Sequence, residues 1–462
     1  MLEDGYLTFD GIDCIFNETT NGLVLYPTDA NQRVKLNKHL FDKGFFFNYR
    51  GSIDKSITML VKKVSSNFPS NSIRLIPQYI VKMLIPAPVF SIELVSEAID
   101  QLFSPASYFY FKARSGKSEN TDKLIYENEV ADTWDFTYKG APIQVTLLYG
   151  DILKRGKASD MKLHPKLKIS FPQTENIGLI YDIYRVMTVF LQIARYRYGC
   201  GASSIRLCSR TDVGFIHGNL FDYSGVNEVI GYSEVGYELI KPYIGALLQF
   251  AADNIDLPIY YFPKDGTRFL GEDYNGVLFA ALFAVFEREC KQNGELYVKT
   301  DDSKISSVRN ELVSQIEILK NAKSVEESEF ISNVVSRIKD LGTQMGQKAR
   351  IINACNTLAP ILNSSYEHVF YYPELRIKGV PSKNQIKQIA EKLVILRNAV
   401  IHDGSKNEFT DEESQYVRFF EILVYTLILK RVGIPDAGIE RLIGVVFNSN
   451  YVALNEELPK QI

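Results

Sequence analysis

Over the first third of the chain, hydrophobic and polar positions alternate in short runs. YLTF (6–9), IDCIF (12–16), GLVLYP (22–27), FFFNY (45–49) and SITMLVKKV (56–64) are rich in β-branched and aromatic residues. Turn-forming Asn, Asp, Gly and Thr separate them, so each reads as a strand. SIRLIPQYIVKML (72–84) carries Pro77 inside, which predicts an edge strand or a broken one. SYFYFKA (107–113), WDFTY (134–138), PIQVTLLYG (142–150) and LKISF (167–171) continue the pattern around a polar loop at Ser115–Asp122. The expected arrangement is a β-sandwich or barrel-like domain.

The period then lengthens to that of a helix. Ile180, Ile183, Tyr184, Met187, Leu191 and Ala194 form an apolar stripe over 175–198, with Gly199 as a stop. Two further strands follow at 204–208 and 213–221, then a helix over 236–254 and a loop-like stretch at 257–271. From Tyr274 onward nearly everything has helical spacing: 274–292, 302–323, 326–346, 347–362, 382–402, 411–432 and 436–447. Ser382 with Gln385 and Thr410 with Glu413 have capping-box spacing. Pro381 and Pro435 stand just outside helix starts. The fold class is therefore α+β. A β-rich domain with a few helices spans 1–235, a helical connector 236–266, and an all-α bundle 267–462. No repeat of 20–50 residues and no low-complexity tract is present.

Composition narrows the function classes. The chain has 462 residues, 46% hydrophobic and 23% charged, enough for two or three domains with buried cores. A net charge of −3 gives no global basic signature, so an RNA site must be a local patch or a groove formed on assembly. Five scattered cysteines without a CxxC pair argue against a disulfide framework and a zinc site, and fit a reducing cytoplasm. The acidic, turn-like start Met1-Leu-Glu-Asp-Gly is unlike a signal peptide. The longest apolar run, Val277–Phe286, has ten residues and suits a buried helix rather than a membrane span.

The helix at 382–402 carries the candidate chemistry. Ile386, Ile389, Ala390, Leu393, Leu396 and Val400 mark its buried face, and Asp403-Gly404 stops it. Arg397, Asn398 and His402 break the apolar pattern. On an ideal helix Arg397 and His402 stand about 140° apart with a rise of about 7.5 Å, so one helix does not present both on one face. A site using both needs either the last turn to unwind at His402 or a second copy of the helix, and a two-fold dimer supplies that copy and can line one cleft with two Arg and two His. The structural alternative is simple: basic groups near a helix C-terminus favour the macrodipole.

Arg397-Asn398-x-x-x-His402 resembles the Arg-polar-x-x-x-His motif of HEPN domains, helical ribonuclease modules of defence and toxin systems. The flanks agree: Tyr416–Val432 is a long apolar helix closed by Gly433-Ile434-Pro435, and Ile439–Phe447 has helical spacing. With a sheet-rich N-terminal region, the chain resembles the ApeA-type HEPN anti-phage proteins. The part from Thr267 carries the likeness, and the N-terminal half carries it in outline. The resemblance implies a metal-independent, cofactor-free endoribonuclease in cytoplasmic abortive infection. Its partners would be a second copy of itself, RNA (transfer RNA among the candidates) and a phage-derived trigger, with no membrane. Its products would be a 2′,3′-cyclic phosphate and a 5′-hydroxyl.

The residue types suit that reaction. His402 titrates near neutrality and can take the 2′-hydroxyl proton or protonate the leaving 5′-oxygen. Arg397 can clamp the equatorial phosphate oxygens with forked donors. Asn398 can donate to a phosphate oxygen or orient His402. Asp403 reads as half of an Asp-Gly turn rather than as a partner for the imidazole. Glu287-Arg288-Glu289 can position Arg397 across the bundle or form an ordinary surface pair.

Lys154, Arg155 and Lys157 open a basic stretch ending in Lys166 and Lys168. It is either a phosphate-contacting surface or, the favoured reading, a solvated loop and a strand's outer face. Arg195-Tyr-Arg197-Tyr alternates basic and aromatic groups as a base-stacking platform does, although packing tyrosines with snorkelling arginines explain it better. Gly199-Cys-Gly201 lacks the rest of a phosphate-loop fingerprint. His39, His164, His217 and His368 lack metal-ligand spacing and read as structural or exposed. The rival class is a non-catalytic HEPN-like dimerisation or binding module, distinguished by a dry apolar seam in place of a basic cleft. By elimination the N-terminal half is the candidate trigger receptor or brake. A transferase there would need a phosphate loop or paired carboxylates, and neither is recognisable.

Overall fold

The computed structural model describes residues 4–9, 12–19, 22–29, 45–50, 55–67, 72–104, 129–151, 163–202, 205–212, 214–223, 235–257, 261–263, 274–297, 303–320, 324–340, 345–371, 375–401, 404 and 406–447. The expected strand at 107–113 and the loop at 115–122 lie outside them, as does His39. The chain is an α+β protein with an N-terminal antiparallel sheet and C-terminal helices. It divides into two compact units, 1–266 and 267–462.

The first unit runs β1 (Asp4–Phe9), β2 (Ile12–Thr19), β3 (Gly22–Pro27), β4 (Phe45–Arg50), β5 (Ser56–Asn67), β6 (Ser72–Met83), β7 (Val89–Leu94) and helix α1 (Glu97–Leu102). It continues with β8 (Glu129–Tyr138), β9 (Ala141–Asp151), β10 (Leu163–Thr174), α2 (Ile177–Arg195), β11 (Ile205–Thr211), β12 (Gly214–Asp222), α3 (Tyr237–Ile240) and α4 (Ile244–Asp253). The described strands form one antiparallel sheet, ordered β1-β2-β3-β6-β12-β11-β7-β10-β9-β8, with β5 and then β4 added beside β6. β7 and α1 were not evident from the sequence pattern. α1 starts where the Ser96 hydroxyl accepts from the Ile99 amide.

β6 is where the sheet forks. One of its edges pairs with β5 from end to end. The other pairs with β3 at Ile73–Leu75 and with β12 at Tyr79–Met83. Pro77 falls between those two pairings, opposite Val61, where the register with β5 shifts. β6 is therefore an interior strand, contrary to the edge expectation. Its missing N–H sits where the ladder is already interrupted, so the proline is tolerated.

Two apolar rows cross the larger arm of the fork on one face. One runs Leu147, Leu167, Leu94, Ile205, Leu220, Val81, and the other Val145, Ile169, Ile92, Leu207, Gly218, Met83. All of these are buried. The smaller arm has its own core, with Phe16, Leu25, Met59, Val61 and Leu75 packed together. α2 is buried nearly all round; Asn176 caps it and Tyr196, left-handed at φ 51, ends it. It is long and apolar enough to cross a membrane by composition, but 72% of its most apolar window is buried in the fold, as in a core helix. α4 packs on α2 and β8 within the same unit.

The second unit comprises α5 (Gly276–Gln292), α6 (Gly294–Tyr297), α7 (Ser303–Lys320), α8 (Val325–Asp340), α9 (Gln347–Thr357), α10 (Ala359–Val369), α11 (Lys383–Ile401), α12 (Asp411–Val432) and α13 (Asp436–Val446). The helix expected over 347–362 is two helices, because Pro360 cannot continue one and instead opens the next. α12 is the central helix, buried almost continuously from Glu413 to Leu429, with α5, α10, α11 and α13 around it. Phe283 and Phe286 of α5 meet Phe420, while Tyr366 and Phe370 meet Phe419. α7 and α8 pair with each other, and Val313 and Val335 on them are buried.

Candidate functional site

α11 begins with the expected capping box. Ser382 N donates to Gln385 Oε1 at 2.8 Å, and Gln385 N donates back to Ser382 Oγ at 3.3 Å. Ile386, Ile389, Ala390, Leu393 and Leu396 are buried, and Val400 is half-buried. This buried stripe fixes the rotation of the helix, and with it the direction of the last turn.

In that turn Arg397 is largely covered, its side chain 17% exposed, while Asn398 is open to solvent. Arg397 Nη1 donates to Asn398 Oδ1 at 3.4 Å, and Nη2 lies 3.9 Å from Glu287 Oε1 of α5. Gln347 Nε2 of α9 donates to the same Glu287 oxygen at 3.1 Å. Glu287 thus ties three helices together and faces the guanidinium. Two residues on, Glu289 is only 2% exposed and is gripped by Arg431 of α12, with Nε 2.6 Å and Nη2 2.8 Å from its oxygens. That forked geometry is the stronger of the two pairs. Gln347 and Arg431 carry no sequence signal for this role, since 142 positions separate Glu289 from Arg431.

The chain leaving α11 is held firmly on its far side. Gly276 N donates to Asn407 O at 2.9 Å, and Asn275 bridges Glu408. A Cβ at Gly276 would stand 2.7 Å from Lys406 O, so only glycine permits this approach. Phe409 packs edge-on against Phe279, and Lys406 Nζ lies 2.6 Å from the Glu413 carboxylate. Glu413 also closes a capping box with Thr410. Burial alone would raise the Glu413 pKa, but the bonds from Lys406 and the Thr410 amide, with the charges of Lys406 and Lys392, outweigh it and hold the group low. His402 and Asp403 lie outside the described residues.

Of the RNA-contact candidates, Lys154, Arg155 and Lys157 also lie outside the described residues. Arg195 and Arg197 are 2% and 8% exposed. Arg195 donates to Cys200 Sγ and to Gln101 Oε1, and Arg197 to Tyr196 O. Arg195 lies on the buried side of α2 and Arg197 follows the left-handed Tyr196, and with both buried they offer no open platform for bases. The described end of the basic stretch lies on β10, where Lys166 is 3.5 Å from Glu93; Arg206 is 3.6 Å from the same carboxylate.

Two histidines have partners that spacing does not reveal. His164 Nδ1 lies 3.2 Å from Asp100 Oδ2, and His217 Nδ1 lies 3.6 Å from Cys208 Sγ. Burial raises the Asp100 pKa, opposed by His164. Among the described residues no group of three or more His, Cys, Asp and Glu could hold a metal ion. Compared with known protein families, curated proteins and solved structures, the chain shows no significant match.

Proposed function

We propose that the chain is a metal-independent HEPN-type endoribonuclease of anti-phage defence, with a composite site built from Arg397, Asn398 and His402 of two copies. The observation that carries this reading is the placement of Arg397. It ends a capped core helix, beside an exposed Asn398, with its guanidinium turned toward a carboxylate from another helix. A group already aimed at an anion is suited to meet a phosphate, because little side-chain freedom remains to be lost.

In this reading His402 exchanges the proton between the 2′-hydroxyl and the leaving 5′-oxygen, and Arg397 stabilises the charge that builds on the phosphate. A second copy supplies the site because on an ideal helix Arg397 and His402 would stand about 140° apart. Ile395 and Ile401, 59% and 42% exposed near Asn398, offer an apolar seat for that copy. The first unit acts as trigger receptor or brake, in the cytoplasm of an infected cell.

The same two isoleucines favour a second reading, a non-catalytic dimerisation module whose seam they form. Cleavage of total RNA by purified protein with EDTA present, wild type beside His402→Ala, separates the two. Cyclic phosphate ends from wild type alone support the nuclease. Cutting by both proteins would overturn the assignment of His402.

A further inference from the structure

The two apolar rows of the sheet end in hydroxyls. The row that passes through Leu220 and Val81 finishes at Thr58 of β5, and the row through Gly218 and Met83 finishes at Ser56. The opposite face of β5 does the reverse, since Ile57, Met59 and Val61 are fully buried in the smaller core. Ser56 and Thr58 are half-buried and stand beside an open cavity of about 240 Å³.

Val81, Met83 and Ile177 line this cavity together with Ser56, Thr58 and Glu175. Its floor is set by a close approach: a Cβ at Gly218 would stand 2.5 Å from Met83 Cγ, so the glycine gives Met83 its place. Among the described residues the Ser56 and Thr58 hydroxyls and the Glu175 carboxylate make no hydrogen bond or ion pair within the protein. An apolar chamber with a few convergent polar groups is the form small-molecule sites take. The volume equals about eight waters at ~30 Å³ each, room for a compact ligand of roughly that many heavy atoms.

We infer that this cavity is a binding site for a compact amphipathic monoamine. The hydrocarbon body lies on Val81, Met83 and Ile177, the ammonium faces Glu175, and the hydroxyls of Ser56 and Thr58 accept its remaining N–H groups. The N-terminus of α2 beside Glu175 carries about half a positive charge, less than the full negative charge of the carboxylate. The local field therefore selects a cation over an anion of the same shape.

The test uses the full-length protein and benzylamine, with benzyl alcohol and benzoate as neutral and anionic counterparts, followed by calorimetry at neutral pH. The expected result is saturable one-site binding of benzylamine, at least tenfold tighter than either counterpart. Glu175→Gln, at an exposed position, should bring the amine to the level of the alcohol. Thr58→Val, which preserves side-chain shape, should weaken the amine about threefold. Three results would each overturn the inference: no saturable binding of benzylamine, benzoate binding as well as the amine, or an amine preference that survives Glu175→Gln.

Discussion

Glu287 Oε1 lies 3.9 Å from Arg397 Nη2, so the guanidinium proposed to meet RNA already faces a carboxylate from a neighbouring helix. Phosphate and Glu287 then compete for the same donors. Glu287→Gln should tighten RNA binding roughly threefold to tenfold, in line with the ~1 kcal/mol scale of a partly exposed pair. Fluorescence anisotropy in a His402→Ala background, where the RNA stays intact, measures this. Weaker or unchanged binding would show that Glu287 does not oppose the substrate.

Arg397→Ala and His402→Ala should each lower EDTA-resistant RNA cleavage by at least about a hundredfold, the scale of a lost general acid–base or charge-stabilising group. Sedimentation should show both variants in the same assembly state as wild type. Loss of activity accompanied by loss of assembly would instead assign these residues to an interface.

The Glu289–Arg431 pair supports the bundle that carries Arg397. Arg431→Met leaves a buried carboxylate without its fork and should cost about 3 kcal/mol or more. Adding Glu289→Met should recover most of that loss, because the stranded charge is removed. Urea unfolding of the two variants gives the comparison, and a double variant no more stable than the single one would contradict it.

Glu413 predicts a pH dependence. Its folded pKa lies below the ordinary 4.5, so it stabilises the fold above that pH and the contribution fades as pH falls through the folded value. The melting-temperature gap between wild type and Glu413→Gln should be widest at neutral pH and shrink below about pH 4.5. Thr410→Ala, which removes the cap, should cost about 1 kcal/mol. A gap that stays constant down to pH 3.5 would rule out the ion-pair account.

All five cysteines are buried. Burial pushes the thiol of Cys14 up to about 11 and those of Cys290 and Cys355 up to about 12. It raises Cys200 and Cys208 as well. Native protein at pH 8 should therefore react slowly with a thiol-specific reagent, and denatured protein should release five equivalents. Rapid labelling of the native protein at Cys208 would indicate that its contact with His217 activates it.

Much of the helical half is legible because its signals are local. Capping boxes at Ser382 and Thr410 and the stripe from Ile386 to Leu396 place α11 and α12 within a residue or two. Glu287 was readable as a partner for Arg397 because it directly follows an apolar run that had to be buried. Arg431 and Gln347 were not, since long-range pairing leaves no trace in spacing. Arg195 and Arg197 alternate with tyrosines as a nucleic-acid platform would, but both are buried, and the positive φ at Tyr196 between them is a backbone choice the sequence does not announce. Pro77 misled for a related reason: proline usually marks an edge, and only the exchange of partners along β6 makes room for it inside.

That exchange bears on how the first unit comes apart. β6 lends one end to each arm, so neither arm can shed it without exposing the other's core to water. The sheet should melt in a single cooperative step and resist division into two separately folded fragments. A signal received on one arm would then reach the other through the shared strands β5 and β6.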